Sequence, residues 1–290
     1  MSRHAYLILA HDNFRTLSLL IKAIDDERNE VFVHFDKKVK ELPSLSTTKA
    51  RLHILPDAER IDVAWADSTM LEAEYKLFEA ATAKGRFDRY HLVSGADLPI
   101  KSQDYIHDFF ALYSDKEFIG YNQSDYSKEV CRKVQRWHLF PHDFRPRAGI
   151  SHKVKRIARA MAIRVQELLH IKRNKAVNFR KGTQWVSLTH SFLEYVISKK
   201  ADVMRTYSHT FCADEIFIQT LCYNSPFKAN IFDTKHEGRG CMREIGWKNN
   251  RIEDYTIKDF DRIMLSTYIF ARKFNDRHAD VAEKILSSVI

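Results

Sequence analysis

Glycine, proline and cysteine are scarce in this chain of 290 residues, which contains eight Gly, six Pro and four Cys. Neither a G-x-x-x-x-G-K-[ST] segment nor a G-x-G-x-x-G segment occurs. Because those glycines let the backbone approach a phosphate group, their absence disfavours a P-loop kinase and a standard dinucleotide-binding enzyme. The sequence also lacks a Gly-rich linker, and we therefore expect a single domain over residues 1–290.

A regular cysteine spacing and long apolar runs are missing as well. The four cysteines, Cys131, Cys212, Cys222 and Cys241, form no C-x-x-C pair, which is typical of reduced thiols in a cytosolic protein. The opening apolar run, residues 5–10, is far shorter than the roughly 20 residues that span a bilayer. No signal-peptide cleavage pattern follows it, so we expect a cytoplasmic protein.

Positive charge is concentrated in one segment of the chain. The whole sequence has 47 Lys and Arg against 38 Asp and Glu, a net charge of +9. Residues 128–181 hold 16 basic and 3 acidic residues, a surplus of 13, and the remainder of the chain has a net charge of −4. This distribution indicates a negatively charged partner. The sign alone does not choose among nucleotide phosphate, anionic lipid and nucleic acid.

Short apolar runs alternate with segments of helical periodicity. The runs predict strands at residues 5–11, 31–35, 52–55, 90–94, 118–120 and 185–188, and the periodic segments predict helices at 14–24, 68–82, from about 103, 191–198, 214–223 and 259–266. Residues 95–100 contain Gly and Pro and are predicted to form a loop. The alternation predicts an α/β fold with right-handed parallel crossovers and with ligands at the carboxyl ends of the strands.

Residues 151–171 predict a basic amphipathic helix. Val154, Ile157, Met161, Val165 and Leu168 recur at helical spacing, with Lys and Arg between them. One interpretation is peripheral contact with an anionic membrane surface. The other interpretation, which ordinary globular packing favours, is an internal helix that buries this apolar stripe against the sheet.

Three polar residues follow predicted strands. His11, Asp36 and Asp97 come after the first, second and fourth runs, so one edge of the sheet would gather them at a common crevice. The alternative is structural, because Asp in particular often caps the next helix or binds loop amides. The shared position makes the crevice a stronger prediction than any one of its members.

Two charged groups in the second half of the chain each allow a functional and a structural interpretation. Asp214 and Glu215 precede an apolar run, where a Glu could take a proton from a hydroxyl or where both acids could favour the helix dipole. Arg272 and Lys273, with Arg251, could bind a diphosphate. They could equally be ordinary surface cations.

Six motifs occur in the order found in one enzyme family. They are Ala5 to His11 with Val33 to Lys37, Ser94 to Lys101, Gly182 to Trp185 (G-T-Q-W), Ala213 to Glu215 (A-D-E), Met242 to Trp247 (M-R-E-I-G-W) and Phe270 to Phe274 (F-A-R-K-F). From about residue 5 to about residue 276 the chain resembles the core-2/I-branching β-1,6-N-acetylglucosaminyltransferases and the related peptide O-xylosyltransferases of glycosyltransferase family 14. No single motif is specific, whereas six in order are.

The resemblance implies a GT-A-type fold with a mostly parallel, Rossmann-like sheet, and a metal-independent transfer from a UDP-sugar that inverts the anomeric carbon. Glu215 matches the catalytic base, and Lys273 and Arg251 match the cations that neutralise the departing diphosphate. The donor half would be about residues 1–120, and the acceptor and catalytic half about residues 121–290. The sequence lacks the membrane anchor, stem and cysteine set of animal members, which implies a bacterial-type cytoplasmic version.

The remaining site residues follow from the crevice and the resemblance together. The predicted donor-binding residues are His11, Asp36, Asp97, Arg251 and Lys273, and the predicted acceptor-binding residues are Trp247, Trp185 and Asp214. No metal ligand is predicted, because the loop after the fourth strand has a single acid, Asp97. Asp259-Phe260-Asp261 does form D-x-D, but in a helix residues two apart point about 200° away from each other.

The sequence therefore predicts a glycosyltransferase that moves a sugar, N-acetylglucosamine first and xylose second, from a UDP-sugar to a hydroxyl of a glycan or lipid-linked glycan. No cofactor and no nucleic-acid partner are expected. Two alternatives remain at this point, a basic protein that binds nucleic acid or an anionic surface without catalysis, and a transferase fold that only binds its ligand.

Overall fold

The computed structural model describes residues 2–123, 127–145, 148–248 and 251–290. Its strands are β1 (His4–Ala10), β2 (Asn29–Phe35), β3 (Arg51–Ile54), β4 (Arg89–Ser94), β5 (Asp97–Pro99), β6 (Ser187–Leu188), β7 (Arg243–Ile245), β8 (Trp247–Lys248), β9 (Arg251–Ile252) and β10 (Phe270–Arg272). Its α-helices are α1 (Phe14–Ala23), α2 (Thr69–Lys84), α3 (Gln103–Leu112), α4 (Ser127–Val134), α5 (Ile150–Leu168), α6 (His190–Ser198), α7 (Lys200–Tyr207), α8 (Phe217–Tyr223), α9 (Glu237–Cys241), α10 (Phe260–Leu265) and α11 (Ala279–Val289).

The central sheet has five strands in the order β3-β2-β1-β4-β6. The first four are mutually parallel, and β6 is antiparallel to β4. Parallel neighbours need crossover connections, and α1 and α2 provide them after β1 and β3. The predicted α/β fold, with a mostly parallel sheet flanked by helices, is confirmed.

Alternate residues of β1 belong to two different hydrophobic cores, one on each face of the sheet. Leu7 and Leu9 share a core with residues of α2, whereas Tyr6 and Ile8 share a core with residues of α1 and α11. Successive side chains of a strand point to opposite faces, so a strand covered on both faces reads as a continuous apolar run. This is why β1 is visible in the sequence.

A second, three-stranded sheet corrects the loop prediction for residues 95–100. Asp97–Pro99 forms β5, which pairs antiparallel with β10, and β10 pairs parallel with β7. The register places Asp97 opposite Arg272. The sheet thereby brings the F-A-R-K-F motif to the end of β4, beside the carboxyl edge of the central sheet.

Three further predictions are wrong in detail. In place of the strand predicted at 118–120 there are only isolated bridges at Glu117 and Phe118. The strand predicted at 185–188 is shorter than expected, because only Ser187 and Leu188 form β6. The helix predicted at 214–223 is a 3-10 turn, Ala213–Glu215, followed by α8. Asp214 and Glu215 therefore lie in the turn before the helix, where their side chains are not committed to its first turn.

The basic helix is confirmed as α5, but the interpretation that it buries its apolar stripe is wrong. Only Ile163 and Gln166 of α5 are buried. Val154, Ile157 and Met161 are exposed. Among the described residues, no helix has the length and apolar character needed to cross a membrane.

Candidate active site

A cleft of about 470 Å³ opens at the carboxyl ends of the central strands. His11 follows β1, Asp36 follows β2 and Gly95 follows β4, and all three line this cleft. The cleft lies where a parallel sheet is expected to bind its ligand. It also contains Glu215, Asp214, Lys273, Trp185 and Trp247, so the fold brings together seven of the nine predicted site residues.

The wall at the ends of β1 and β2 is formed by polar groups, several of them bonded to their neighbours. The Asp36 carboxylate accepts a hydrogen bond from the backbone N–H of Lys38 at 2.9 Å, and the Lys38 ammonium lies 3.0 Å from it. Burial lowers the pKa of His34 to about 4, and its Nε2 accepts a hydrogen bond from the N–H of Ile61 at 2.9 Å. His11 is exposed at the rim, with its Nε2 3.5 Å from the Asp12 carboxylate.

Asp97 lies beneath the cleft and does not line it. Its Oδ2 accepts hydrogen bonds from the Ser94 N–H at 2.5 Å and from the Ser94 hydroxyl at 3.1 Å. Its Oδ1 lies 3.3 Å from Nε of Arg272. This buried position argues against the predicted contact with the donor. Asp97 instead holds the turn after β4 and the Arg272 side chain.

Arg272 packs against a buried aromatic side chain of the cleft. Its guanidinium carbon lies 4.2 Å from the centre of the Trp185 ring, a cation–π contact that holds the indole in place. Both residues line the cleft. The predicted acceptor residue Trp185 therefore offers a ligand only a small part of its surface.

Lys273 and Trp247 line the opposite wall. Lys273 follows β10 directly, and Trp247, on β8, is 61% exposed. Arg251 pairs with Lys248 across the β8–β9 hairpin, and its neighbour Ile252, but not Arg251 itself, lines the cleft. The fold thus delivers one of the two predicted diphosphate cations to the cleft, and the role of Arg251 stays a prediction.

Glu215 is positioned by a close backbone contact. Its carbonyl oxygen accepts a hydrogen bond from the N–H of Gly182 at 2.9 Å. A Cβ at position 182 would lie 1.8 Å from the carbonyl oxygen of Gly120, so only glycine fits there. The first residue of the G-T-Q-W motif therefore allows the approach that fixes the turn carrying Glu215.

Two lysines that the sequence analysis missed flank the Glu215 carboxylate. Nζ of Lys181 lies 3.6 Å and Nζ of Lys133 lies 3.8 Å from Oε2 of Glu215. Glu129 binds the same two lysines at 2.9 and 2.8 Å, and its hydrogen bond with Lys133 lowers the pKa of Glu129 to about 2. Lys181 stands immediately before the G-T-Q-W motif, which is the one signal that could have indicated it.

Behind Glu215 lie two carboxyl groups that hold their protons more tightly than usual. Burial, reinforced by the charge of Glu215, raises the pKa of Asp214 to about 7, and its Oδ1 is buried without a hydrogen-bond partner among the described residues. Burial also raises the pKa of Glu74 on α2. Oε1 of Glu74 accepts a hydrogen bond from Gln184 at 2.6 Å. The third residue of G-T-Q-W thus ties α2 to the cleft wall.

A further carboxyl group, Glu237, lines the cleft near Glu215. Burial raises the pKa of Glu237, and the charge of Glu215 raises it further. Its Oε2 accepts a hydrogen bond from Nδ2 of Asn122 at 3.4 Å. Glu237 is therefore the alternative to Glu215 that any test of a catalytic base has to include.

The D-x-D segment at residues 259–261 has a structural use. The Asp259 carboxylate accepts hydrogen bonds from the N–H and the hydroxyl of Thr256, at 3.0 and 3.1 Å, and so caps the turn that leads into α10. It also lies 3.3 Å from Arg262. In the part of the chain that the structure describes, no three His, Cys, Asp or Glu side chains are grouped as metal ligands would be.

Comparison with known proteins gives the chain a family. The sequence profile described as Core-2/I-Branching enzyme matches residues 4–264. Xylosyltransferase 2 of Rattus norvegicus is 23% identical over 295 residues, which cover 94% of this chain and 32% of the rat protein. Xylosyltransferase 1 of Homo sapiens is 23% identical over 298 residues, covering 94% of this chain and 29% of the human protein.

The chain spans about a third of the length of these xylosyltransferases. The match to these relatives covers 94% of this chain. The profile runs from β1 into α10 and includes the turn that carries Glu215, whereas Lys273 lies after the matched residues. The chain therefore belongs to the core-2/I-branching family of glycosyltransferases, glycosyltransferase family 14.

Proposed function

We propose that this protein transfers a sugar from a UDP-sugar to a hydroxyl group of a glycan, with inversion at the anomeric carbon and without a metal ion. The observation that carries the proposal is the sharing of one cleft by Glu215 and Lys273. A proton acceptor and a cation for the leaving group are the two chemical functions that such a transfer needs.

In this mechanism Glu215 accepts the proton of the acceptor hydroxyl. The hydroxyl oxygen forms a bond to the anomeric carbon as the bond from that carbon to the diphosphate oxygen breaks. A single displacement by one nucleophile inverts the anomeric configuration. Glu215 is suited to this role because its turn is fixed at Gly182 while its carboxylate lines the cleft.

The departing UDP would be stabilised by side-chain cations. Lys273 lines the cleft and provides a point charge for the diphosphate. Arg251 is assigned to the same role by its match to the family motif, and it would reach the ligand from the β8–β9 hairpin. Charge supplied in this way replaces the metal ion that D-x-D enzymes of similar fold use.

The two sides of the cleft would bind the two substrates. His11 and Asp36 lie at the ends of β1 and β2 and are assigned to the uridine end of the donor. Trp247, exposed on the opposite wall, offers an apolar face for stacking on an acceptor sugar. Asp214 and Trp185 would complete the acceptor side, Trp185 through the small part of its surface that is exposed.

N-acetylglucosamine is the donor sugar that we propose first, because the family's branching enzymes share the motifs of this cleft. Xylose is the second candidate, and the relatives named xylosyltransferases favour it. The two donors differ by the N-acetyl and hydroxymethyl groups of the first. Thermal-shift measurements with a panel of UDP-sugars at equal concentration distinguish the two donors, because the donor that binds more tightly raises the unfolding temperature further. A ligand at 100 times its Kd stabilises the fold by about 2.7 kcal/mol.

The central test is Glu215→Gln, with Glu237→Gln as the matched variant at the neighbouring glutamate. We expect Glu215→Gln to lower kcat by about 10²- to 10⁴-fold, the usual contribution of a general base, because the amide keeps the shape but takes no proton. UDP binding, measured by calorimetry, should stay nearly unchanged. Glu237→Gln should keep kcat within about tenfold of the wild-type value.

Two results would contradict this proposal. If Glu237→Gln abolished transfer and Glu215→Gln did not, the base would be Glu237. The assay includes EDTA, so a loss of wild-type activity that Mn²⁺ restores would overturn the metal-free part of the mechanism.

A further inference from the structure

Helix α5 turns its apolar residues away from the protein. Six residues along it are exposed, from 50% at Val165 to 82% at Ile150. They are Ile150, Val154, Ile157, Met161, Val165 and Leu168. At about 100° per residue they fall within an arc of about 80°, one continuous stripe along the length of the helix. We call this set the outer stripe.

The opposite face of α5 is polar and is bonded to the protein. Arg159 donates hydrogen bonds to the carbonyl oxygens of Leu139 at 2.8 Å, Phe140 at 2.9 Å and Asp143 at 3.1 Å. Lys155 binds the Asp143 carboxylate at 2.5 Å. Lys155 and Arg159 lie about 120° and about 160° from the centre of the outer stripe, so they leave the stripe facing outward.

Gln166 fixes the same orientation about two turns further along the helix. Its Oε1 accepts a hydrogen bond from the N–H of Trp137 at 2.7 Å, and its Nε2 donates one to the carbonyl oxygen of Trp137 at 2.9 Å. Rotating α5 to bury the outer stripe would break all of these bonds and leave the carbonyl groups without donors. The outward direction of the stripe is therefore built into the fold.

Further apolar side chains are exposed on the segments next to α5. Trp137, Leu139 and Phe140, which lie on the segment bonded to α5, are 40–46% exposed. Leu169 and Ile171, just after the helix, are also exposed. A continuous apolar stripe such as that of α5 on the surface of a globular domain marks an interaction site.

The charge around the outer stripe identifies the partner. Residues 128–181 carry a surplus of 13 positive charges. Each of the segment's three acids is paired with basic residues of the same segment, Glu129 with Lys133 and Lys181, Asp143 with Lys155, and Glu167 with Arg132 and Arg164. Lys153 and Arg164 border one side of the stripe, at about 60–80° from its centre, whereas Arg156 lies about 140° from it, toward the polar side of the helix.

We infer that α5 is a docking face for an anionic membrane surface. The outer stripe would enter the boundary between headgroups and acyl chains, and Lys153 and Arg164 would reach the lipid phosphates with their long side chains. A nucleic acid would use the cations but not an apolar stripe, and an uncharged partner would use the stripe but not the cations. An anionic lipid surface uses both.

A series of aromatic contacts connects the polar side of α5, where Arg159 lies, to the cleft. Phe144, which stacks beneath Arg159, contacts Phe211 at 4.9 Å between ring centres, and Phe211 contacts Trp65 at 5.7 Å. Trp65 lines the cleft, and Lys133 beside Glu215 lies over the Phe211 ring. Docking through α5 would therefore hold the Glu215 side of the cleft near the membrane. Only this last step, the delivery of a membrane-proximal acceptor, rests on the proposed function.

The test is co-sedimentation of the whole chain with vesicles of phosphatidylcholine, with and without phosphatidylglycerol. It is run at about 0.1 M and about 1 M salt, where the Debye length is about 10 Å and about 3 Å. We expect binding to the anionic vesicles at the lower salt, at least tenfold weaker binding at the higher salt, and none to the neutral vesicles.

Two variants separate the two components of the face. Ile157→Gln with Met161→Gln removes part of the outer stripe and should weaken binding more than tenfold. Lys153→Gln with Arg164→Gln should weaken it about 25-fold, since each cation near an anionic surface contributes about fivefold. The matched control is Leu112→Gln with Leu265→Gln, two leucines that are 75% and 84% exposed elsewhere; it should bind like the wild type.

Thermal unfolding midpoints of the variants should match the wild-type value, because every changed side chain is exposed, so a loss of binding would not be a loss of fold. Three outcomes would overturn the inference. The wild type could stay in the supernatant at the lower salt, or the stripe variant could pellet as well as the wild type. In the third, the wild type fails to bind vesicles and sediments as a dimer while the stripe variant is a monomer, which would assign this face to a second copy of the chain.

Discussion

The two longest helices, α2 and α5, differ in which side they pack against the protein: α2 buries its apolar side, whereas α5 leaves most of its apolar side chains exposed. Eight of the 16 residues of α2 are buried, most of them apolar. Two of the 19 residues of α5 are buried, and one of them is Gln166. Apolar and polar residues are segregated more sharply on α5 than on α2, yet α5 is the helix that leaves its apolar side in solvent. A periodic pattern thus shows that a helix has two faces, but not which face is packed inward.

The neighbours of each helix explain the difference. α2 packs against β1 and α6, which present Leu7, Leu9 and Phe192, so its apolar side is the complementary one. α5 packs against residues 137–143, which present backbone carbonyl oxygens. Because a carbonyl group removed from water needs a donor, the polar side of α5 is the one that fits there.

The largest expected difference comes from a pair of identical substitutions on these helices. Leu77→Ala on α2 removes a fully buried side chain and should lower the free energy of unfolding by about 2–5 kcal/mol. Leu168→Ala on α5 removes a side chain that is 78% exposed and should change it by less than about 0.5 kcal/mol. Urea titration measures both. A cost above about 2 kcal/mol for Leu168→Ala would show that the outer stripe is buried in solution and that the comparison is wrong.

A second pair of substitutions tests the polar side of α5. Arg159→Ala removes the donors of three carbonyl oxygens, and hydrogen bonds from a charged donor are worth about 1.5–3 kcal/mol. Arg164→Ala removes only an exposed pair with Glu167 at 3.4 Å, which is worth about 0–1 kcal/mol. We therefore expect Arg159→Ala to shift the urea midpoint clearly further than Arg164→Ala. Equal shifts would mean that the bonds to residues 139–143 do not orient the helix.

The elements that the sequence predicted well are those whose own residues form a clear apolar or periodic pattern. β1 and β2 are continuous apolar runs because both faces of the sheet are covered, and α1 follows as a regular periodic segment. β5 was not predictable in this way. It has three residues, one of them Pro99, and it exists because β10, from the far end of the chain, pairs with it.

The residues of the candidate site show the same difference between what a local motif indicates and what long-range packing determines. Glu215 and Lys273 were predicted from motifs, and both line the cleft. Lys133 and Lys181 were not, because their approach to Glu215 depends on how α4 and the residues before Gly182 pack together. Asp97 was misjudged for a related reason. Its place after a strand suited a ligand contact, but the pairing of β5 with β10 commits it to Arg272.

A pH-dependent effect is expected from the polar groups buried beside α2, which, unlike those of α5, are not fully bonded. Oε2 of Glu74 and Oδ1 of Asp214 have no hydrogen-bond partner among the described residues. The pKa of Asp214 is raised from 3.8 to about 7 by burial and by Glu215. The folded protein therefore keeps this proton between about pH 4 and about pH 7 while the unfolded chain has lost it. Stability conferred by this group is present at low pH, falls as pH rises through that window, and is constant above it.

Asp214→Asn removes the titration of this carboxyl group. Relative to the wild type, we therefore expect the urea midpoint of Asp214→Asn to rise from about pH 5 to about pH 7 and to level off by about pH 8. Asp261→Asn, at an exposed position on α10, serves as the control without such a trend. If the wild type and Asp214→Asn showed parallel pH profiles, the carboxyl of Asp214 would be ionised in the folded protein throughout, and the contrast with the bonded polar face of α5 would disappear.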